Sequence, residues 1–255
     1  MVKLSIVIPA YNEEERIEST LLDYLRFFDK AMKSDYEIII IPNNCSDSTA
    51  DIVSQLSKKH KSIKSKEFKY YTGKSGALIE GFKLAQGDLV GFTDADNSAP
   101  PRSFFKLVEG VEGFDGAIGS RWVRGAEIEL KQPFMRRVFS RSFNFLVRFL
   151  LGLNYYDTQC GAKVFRGSKL KRVIPFLGKT LWAFDMDLLY QLKRKEAMVV
   201  EVPIHWKDDA RTTLNLKKAS FQMLLSLVRL RLMYSPFRFL VQFYDKLPES
   251  FKIHH

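Results

Sequence analysis

Residues 87–101 read Gly-Asp-Leu-Val-Gly-Phe-Thr-Asp-Ala-Asp-Asn-Ser-Ala-Pro-Pro. The segment Asp88 to Thr93 has the short apolar run of a buried strand, and it stops abruptly at two carboxylates, Asp94 and Asp96. Pro100 and Pro101 then suit the first turn of a helix, Arg102 to Val108, where a missing backbone N–H costs nothing. A buried strand, a charged turn and a helix in immediate succession predict one β-α unit of an α/β sheet.

Working outward, the same alternation continues in both directions. Upstream lie an apolar run from Lys3 to Ile8, closed by Pro9, and a helical spacing from Glu13 to Met32 (Ile17, Leu21, Leu22, Leu25, Phe28). A second run, Tyr36 to Ile41, is almost continuously apolar, as in strands covered on both faces. Ser46 suits the start of a helix through Ile52, Val53 and Leu56, and the Lys-rich residues 57–67 read as an exposed edge or loop. A helix is expected over Lys74 to Leu84, and a strand over Phe114 to Gly119. The expectation is an α/β fold: a mostly parallel, twisted, Rossmann-like sheet with helices on both faces.

Ligands of such sheets bind beyond the carboxyl ends of the strands. Four strand ends carry polar or charged residues: Pro9-Ala10-Tyr11-Asn12-Glu13, Asn43-Asn44, Asp94-Ala95-Asp96 and Ser120-Arg121. The aspartates at 94 and 96, one residue apart, are suited to a hard divalent cation, Mg²⁺ or Mn²⁺. Such an ion neutralises a departing diphosphate. Gly73-Lys74-Ser75-Gly76-Ala77 is not a GxxxxGK[ST] loop, and no GxGxxG follows the first strand, which disfavours P-loop NTPases and dinucleotide dehydrogenases. Gly76 and Ala77 would let a helix end approach a nucleotide closely.

Beyond residue 121 the pattern changes. Pro133 precedes an aromatic, basic helix to about Leu151, with Arg137, Arg141 and Arg148 on nearly one face. A return strand is expected within Asp157 to Arg166, a helix over Asp185 to Lys195, and a strand over Met198 to Val202. The tail from Leu214 to Tyr234 reads as helical, with Pro236 ending or kinking it. The expected organisation is a catalytic domain over 1–212, including an interfacial helix at about 133–151, and a C-terminal amphipathic, membrane-associating segment over 213–255.

Six motifs in order, IVIPAYNEEE, Asn43 to Thr49, GKSGA, DADNSAPP, GSR and the DTQCGAK stretch at Asp157 to Lys163, resemble the family 2 glycosyltransferases of GT-A fold. With Trp182-Ala183-Phe184-Asp185 and Glu201 to Trp206, the chain is most similar to the polyprenyl-phosphate sugar synthases, above all the dolichyl-phosphate β-glucosyltransferases. The resemblance implies that Pro9, Tyr11, Asn12, Glu13, Asn44, Lys74 and Ala95 contact the nucleotide. It implies Asp94 near ribose and metal, Asp96 as the main metal ligand, and Arg121, Arg211 and Ser98 at the acceptor phosphate. Asn43-Asn44 replaces the usual acidic pair, which leaves UDP and GDP open; Ser98 in place of a Gln tilts the reading toward a UDP-sugar.

A lipid phosphate is ionised near neutral pH and needs no general base, so no catalytic role is required of the four histidines, His60, His205, His254 and His255. A direct displacement inverts the sugar carbon. The net charge of +11 suits a phosphorylated or anionic-lipid partner. No apolar run reaches the ~20 residues of a spanning helix, and the two cysteines, Cys45 and Cys160, fit a reducing compartment. A peripheral enzyme at the cytoplasmic face of a membrane is therefore expected. Three rivals stand beside it: GDP-mannose as donor; a soluble or polysaccharide acceptor, with Asp185 or Asp187 as base; and a non-catalytic basic module. No nucleic-acid partner is expected, because aromatic and basic residues cluster in helices rather than on a sheet face.

Overall fold

A computed structural model describes residues 2–70, 72–129, 134–178, 183–207 and 216–246. Its strands are β1 (Leu4–Ala10), β2 (Tyr36–Pro42), β3 (Ile63–Ser65), β4 (Leu89–Phe92), β5 (Gly116–Ser120), β6 (Glu127–Ile128), β7 (Lys163–Arg166), β8 (Val199–Pro203) and β9 (His205–Trp206). Its helices are α1 (Ile17–Met32), α2 (Thr49–Lys59), α3 (Gly73–Leu84), α4 (Pro101–Gly110), α5 (Phe134–Leu151), α6 (Gly167–Val173), α7 (Phe184–Arg194), α8 (Leu216–Met233) and α9 (Arg238–Lys246).

The main sheet runs β3-β2-β1-β4-β7-β5-β8, and β6 pairs with β9 separately. Every pairing in the main sheet is parallel except those of β7, which lies antiparallel between β4 and β5. Alternation along the strands explains the two-sided cover. Val7, Ile39 and Ile41 face a cluster completed by Ala77, Leu78 and Phe82 of α3 and by α5, α7 and α8. Ile6, Ile8, Ile38 and Ile40 face the opposite cluster, with Leu21, Leu25 and Phe28 of α1, Val53 of α2 and Phe104 of α4.

The reversal at β7 matters for function. An antiparallel strand begins at the edge where its neighbours end. The residues leading into β7 therefore arrive beside the carboxyl ends of β4 and β5, and Gly161 packs so closely on Asp94 that a Cβ there would collide with Oδ2. Only the last four residues of the expected Asp157–Arg166 strand are extended into the sheet. Of the two readings of the Lys-rich stretch, the exposed edge holds: after α2 ends at Lys59, β3 pairs with β2 as the edge strand. The short β6, β9 and α6 are additions that hydrophobic periodicity does not announce.

Within the C-terminal segment, Leu227 and Leu230 of α8 are fully buried in the same cluster as Val147 of α5 and Leu188 of α7. Pro236 falls between α8 and α9, as expected. Among the described residues no helix is long and apolar enough to cross a membrane.

Candidate active site

A cleft of ≈ 300 Å³ opens at the carboxyl ends of β1, β2 and β4 and the first turn of α3. Its wall comprises Pro9, Ala10, Tyr11 and Glu13 after β1, Asn43 after β2, Lys74 of α3, and Asp94, Ala95 and Asp96 after β4. Tyr11 is half-exposed at this wall.

The loops after β1 and β2 are stitched together, which fixes the cleft's rim. Asn12 takes a left-handed turn (φ 53°) and its Oδ1 accepts the Ser46 N–H at 2.8 Å. The Glu13 N–H donates to Thr49 Oγ1 at 2.7 Å, and the Ser48 N–H to Glu14 at 2.9 Å. The Glu13 carboxylate accepts Arg16 Nε at 2.8 Å. Burial pushes its pKa up, against the pull of Arg16 and with help from Asp96 and Asp94.

Asn43 is buried, and its amide is fully engaged. Oδ1 accepts from the Thr72 N–H and hydroxyl, both at 2.9 Å, and Nδ2 donates to the Gly73 carbonyl at 3.2 Å. The peptide it holds includes Gly73, whose φ of 68° favours glycine, so Asn43 sets the entry of α3 and the launch point of Lys74. Lys74 Nζ pairs with Asp94. Burial pulls the lysine's pKa down, but Asp94, Asp185 and Asp96 more than offset it and hold the ammonium charged. Asp96 is raised instead, first by burial and then by the like charge of Asp94, with the Ser98 N–H (2.9 Å) opposing the shift.

This donor set fits a hard divalent cation. Two crowded carboxylates gain from a positive ion, and among the described residues no trio of His, Cys, Asp or Glu side chains is placed to enclose one. Oxygens of a bound diphosphate would complete the coordination, as is usual for Mg²⁺ and similar ions.

Most of the expected residues converge here: Pro9, Tyr11, Glu13, Lys74, Asp94, Ala95 and Asp96 share one wall. Asn12 and Asn44 do not line it. Asn44 is exposed and donates its N–H to the Phe68 carbonyl at 2.6 Å, and Asn43 stands in the wall instead. Ser98, expected at the acceptor phosphate, is buried and braces Asp96. Arg121 grips Asp157 through Nε (2.7 Å) and Nη2 (2.9 Å) and lies over Trp206. Arg211 falls outside the described residues. On α5, Arg137 is exposed, Arg141 lies over Trp122, and Arg148 over Tyr156.

The strand-end position marks Asn43 but not its hold on α3, and for Asp157 and Lys163 the signal in the sequence is the Asp157–Lys163 motif.

The sequence model for glycosyl transferase family 2 matches residues 5–174. The chain belongs to this family. The glycosyltransferase is 32% identical over 245 residues to a dolichyl-phosphate beta-glucosyltransferase of Dictyostelium discoideum, covering 91% of this chain and 75% of that protein. It is 33% identical over 236 residues to a dolichol-phosphate mannosyltransferase of Pyrococcus furiosus, covering 90% of this chain and 64% of that protein. Among solved structures it resembles glucosyl-3-phosphoglycerate synthase of Mycobacterium tuberculosis in complex with Mn²⁺, UDP and glucosyl-3-phosphoglycerate. That likeness has a TM-score of 0.62 at 18% identity, over 90% of this chain and 80% of the other. It carries the fold: a GT-A glycosyltransferase, as the sequence led one to expect.

Proposed function

We propose that this glycosyltransferase moves glucose from UDP-glucose to dolichyl phosphate or a related polyprenyl phosphate, inverting the anomeric carbon. The observation that carries the reading is the meeting of Tyr11, Lys74, Asp94 and Asp96 in one cleft at the strand ends. The beta-glucosyltransferase activity named for the Dictyostelium relative supports the sugar and the lipid.

Tyr11 offers an exposed ring for stacking a base, and Lys74 offers a charged ammonium beside the diphosphate. Asp96 and Asp94 would hold Mg²⁺ or Mn²⁺, which when bound supplies positive charge against the departing nucleotide. Arg121, whose Nε and Nη2 are held by Asp157, and Arg211 would supply guanidinium charge to the acceptor phosphate. An ionised phosphate oxygen forms the new bond to the anomeric carbon while UDP leaves with the old bonding pair. No proton moves, so the site needs no base. An α-linked donor then gives a β-linked product.

Membrane association is supported by the exposed faces of α5, α8 and α9. Phe143, Val147 and Leu151 of α5 face the core, while Val138, Phe145 and Phe149 are exposed next to Arg137 and Arg141. Phe221, Leu224 and Val228 of α8 and Phe239, Leu240 and Phe243 of α9 are exposed as well. Apolar side chains flanked by arginines suit a lipid-water interface, with the helices lying on the surface. The two free cysteines favour the cytoplasmic face.

A GDP-mannose donor is the second reading, favoured by the similarity to the Pyrococcus mannosyltransferase. One experiment separates the two: incubation with Mn²⁺ or Mg²⁺, a polyprenyl phosphate and a panel of UDP- and GDP-sugars, with mass identification of the lipid product. Glucosyl lipid from UDP-glucose is expected. Mannosyl lipid alone would reassign the donor, and transfer only to free glycans would defeat the lipid acceptor.

A further inference from the structure

Lys163 is wholly buried, yet it lies in the strand next to the acidic turn and takes no part in the chemistry above. It sits on β7 opposite Phe92 of β4 and Ile118 of β5. Its Nζ donates to the Cys160 carbonyl and to Asp185 Oδ1, each at 2.5 Å, and lies 5.4 Å from the Phe92 ring centre. A buried ammonium is costly to keep unless it is paired and bonded, and a packing role alone would be met by methionine at far less cost. One of the two bonds leads to the cleft: the Cys160 carbonyl belongs to the peptide that enters Gly161, and Gly161 lies directly against the Asp94 carboxylate. The other anchors the ammonium to Asp185 in the first turn of α7, so Lys163 ties that peptide to the helix.

We propose that Lys163 is a positioning residue for the acidic turn, clamping the Cys160–Gly161 peptide behind Asp94 and tying it to Asp185 of α7. Lys163 touches neither donor nor acceptor. It sets where Asp94 stands, and so how well a metal-diphosphate complex is received. This rests on the metal and nucleotide reading given above. Supporting groups behind a ligand set typically influence affinity or rate by about 10- to 100-fold.

The test is calorimetric titration of UDP with Mn²⁺ or with EDTA, alongside thermal melting. In Lys163→Met/Asp185→Asn both charges are removed at nearly constant volume. Melting close to wild type with Mn²⁺-dependent UDP affinity reduced about tenfold or more is expected. Gly161→Ala, which pushes on Asp94 without touching the ion pair, should show the same loss. Wild-type UDP affinity in both variants would overturn the inference.

If the double variant does not fold, Asp185→Asn decides alone, since its amide oxygen can still accept from Lys163. Removing a negative charge near a diphosphate site would by bulk electrostatics tighten UDP binding. A loosened Lys163 clamp on the Cys160–Gly161 peptide weakens it. Tighter or unchanged binding would overturn the proposal. A wild-type protein whose UDP binding ignores Mn²⁺ would instead defeat the metal reading itself, and this inference with it.

Discussion

The Tyr234 hydroxyl, at the C-terminal end of α8, donates a 2.7 Å hydrogen bond to Asp187, a wholly buried carboxylate in the first turn of α7. The same carboxylate accepts the Gly178 N–H at 2.9 Å, and the Tyr234 ring packs on Tyr190 with centroids 5.1 Å apart. Asp187 is thus a fastening between α7 and the C-terminal hairpin, and its bonds direct it away from any role as a base. Asp185, two residues earlier on α7, pairs with the buried Lys163 instead.

Tyr234→Phe should destabilise the fold by about 1.5–3 kcal/mol, the range for a hydrogen bond to a charged group. The loss should depend on pH. Burial holds the Asp187 pKa above its ordinary value. Stability tied to its protonated form is therefore present below the unfolded pKa and lost as pH rises through the folded one. The Tyr234 bond opposes this by favouring the ionised carboxylate, so its removal costs least in acid and most near neutrality. Thermal melts of both proteins from pH 4 to 8 measure the difference, and a constant gap would contradict it.

Asp96→Ala should abolish lipid product while leaving the melting temperature within a few degrees of wild type. The carboxylate is crowded by burial and by Asp94, so the fold gains little from it. Retained turnover with Mg²⁺ or Mn²⁺ would remove Asp96 from the metal.

Asn43→Asp should raise the KM for the nucleotide sugar by roughly tenfold and lower stability by about 1–3 kcal/mol. The change is isosteric, but a carboxylate cannot donate to the Gly73 carbonyl as Nδ2 does. It sets an anion against that oxygen instead, and Lys74 loses its fixed starting point. Steady-state kinetics with the donor varied would show it.

Phe145→Ser/Phe149→Ser should weaken binding to anionic vesicles most clearly at high salt. The exposed arginine Arg137 acts through charge and is screened, whereas apolar insertion persists. Co-sedimentation with phosphatidylserine vesicles across a salt series separates the two contributions. Soluble catalysis on a short-chain polyprenyl phosphate should survive the change.

Arg211→Ala should raise the KM for polyprenyl phosphate more than that for the sugar nucleotide. The opposite ranking would move this arginine to the donor side.

Much of the site was legible because strand ends are legible. An apolar run that halts at Asp94 or Tyr11 marks both the strand and the place where ligands meet a parallel sheet, and Lys74 comes from the family resemblance carried by GKSGA. Less legible was which of two adjacent residues turns inward. Asn43 and Asn44 are one residue type, and the backbone separates them: Asn43 bridges to Phe68 and stays in the wall, whereas the chain turns left-handed at Asn44 (φ 56°) and exposes it. Ser98, which the resemblance puts at the acceptor phosphate, is buried, and its backbone N–H donates to Asp96.

Local order along the chain determined the strand-helix alternation, the two-sided hydrophobic cover and the acidic turn, because each depends on the spacing of near neighbours. Tertiary structure alone decided that β7 runs backwards between β4 and β5. Hydrophobic periodicity is the same in either direction, and only pairing fixes the sense of a strand. That reversal brings Gly161 onto Asp94 and places a buried Lys163 behind the cleft. These contacts span some seventy residues of sequence, and only the packed sheet brings them together.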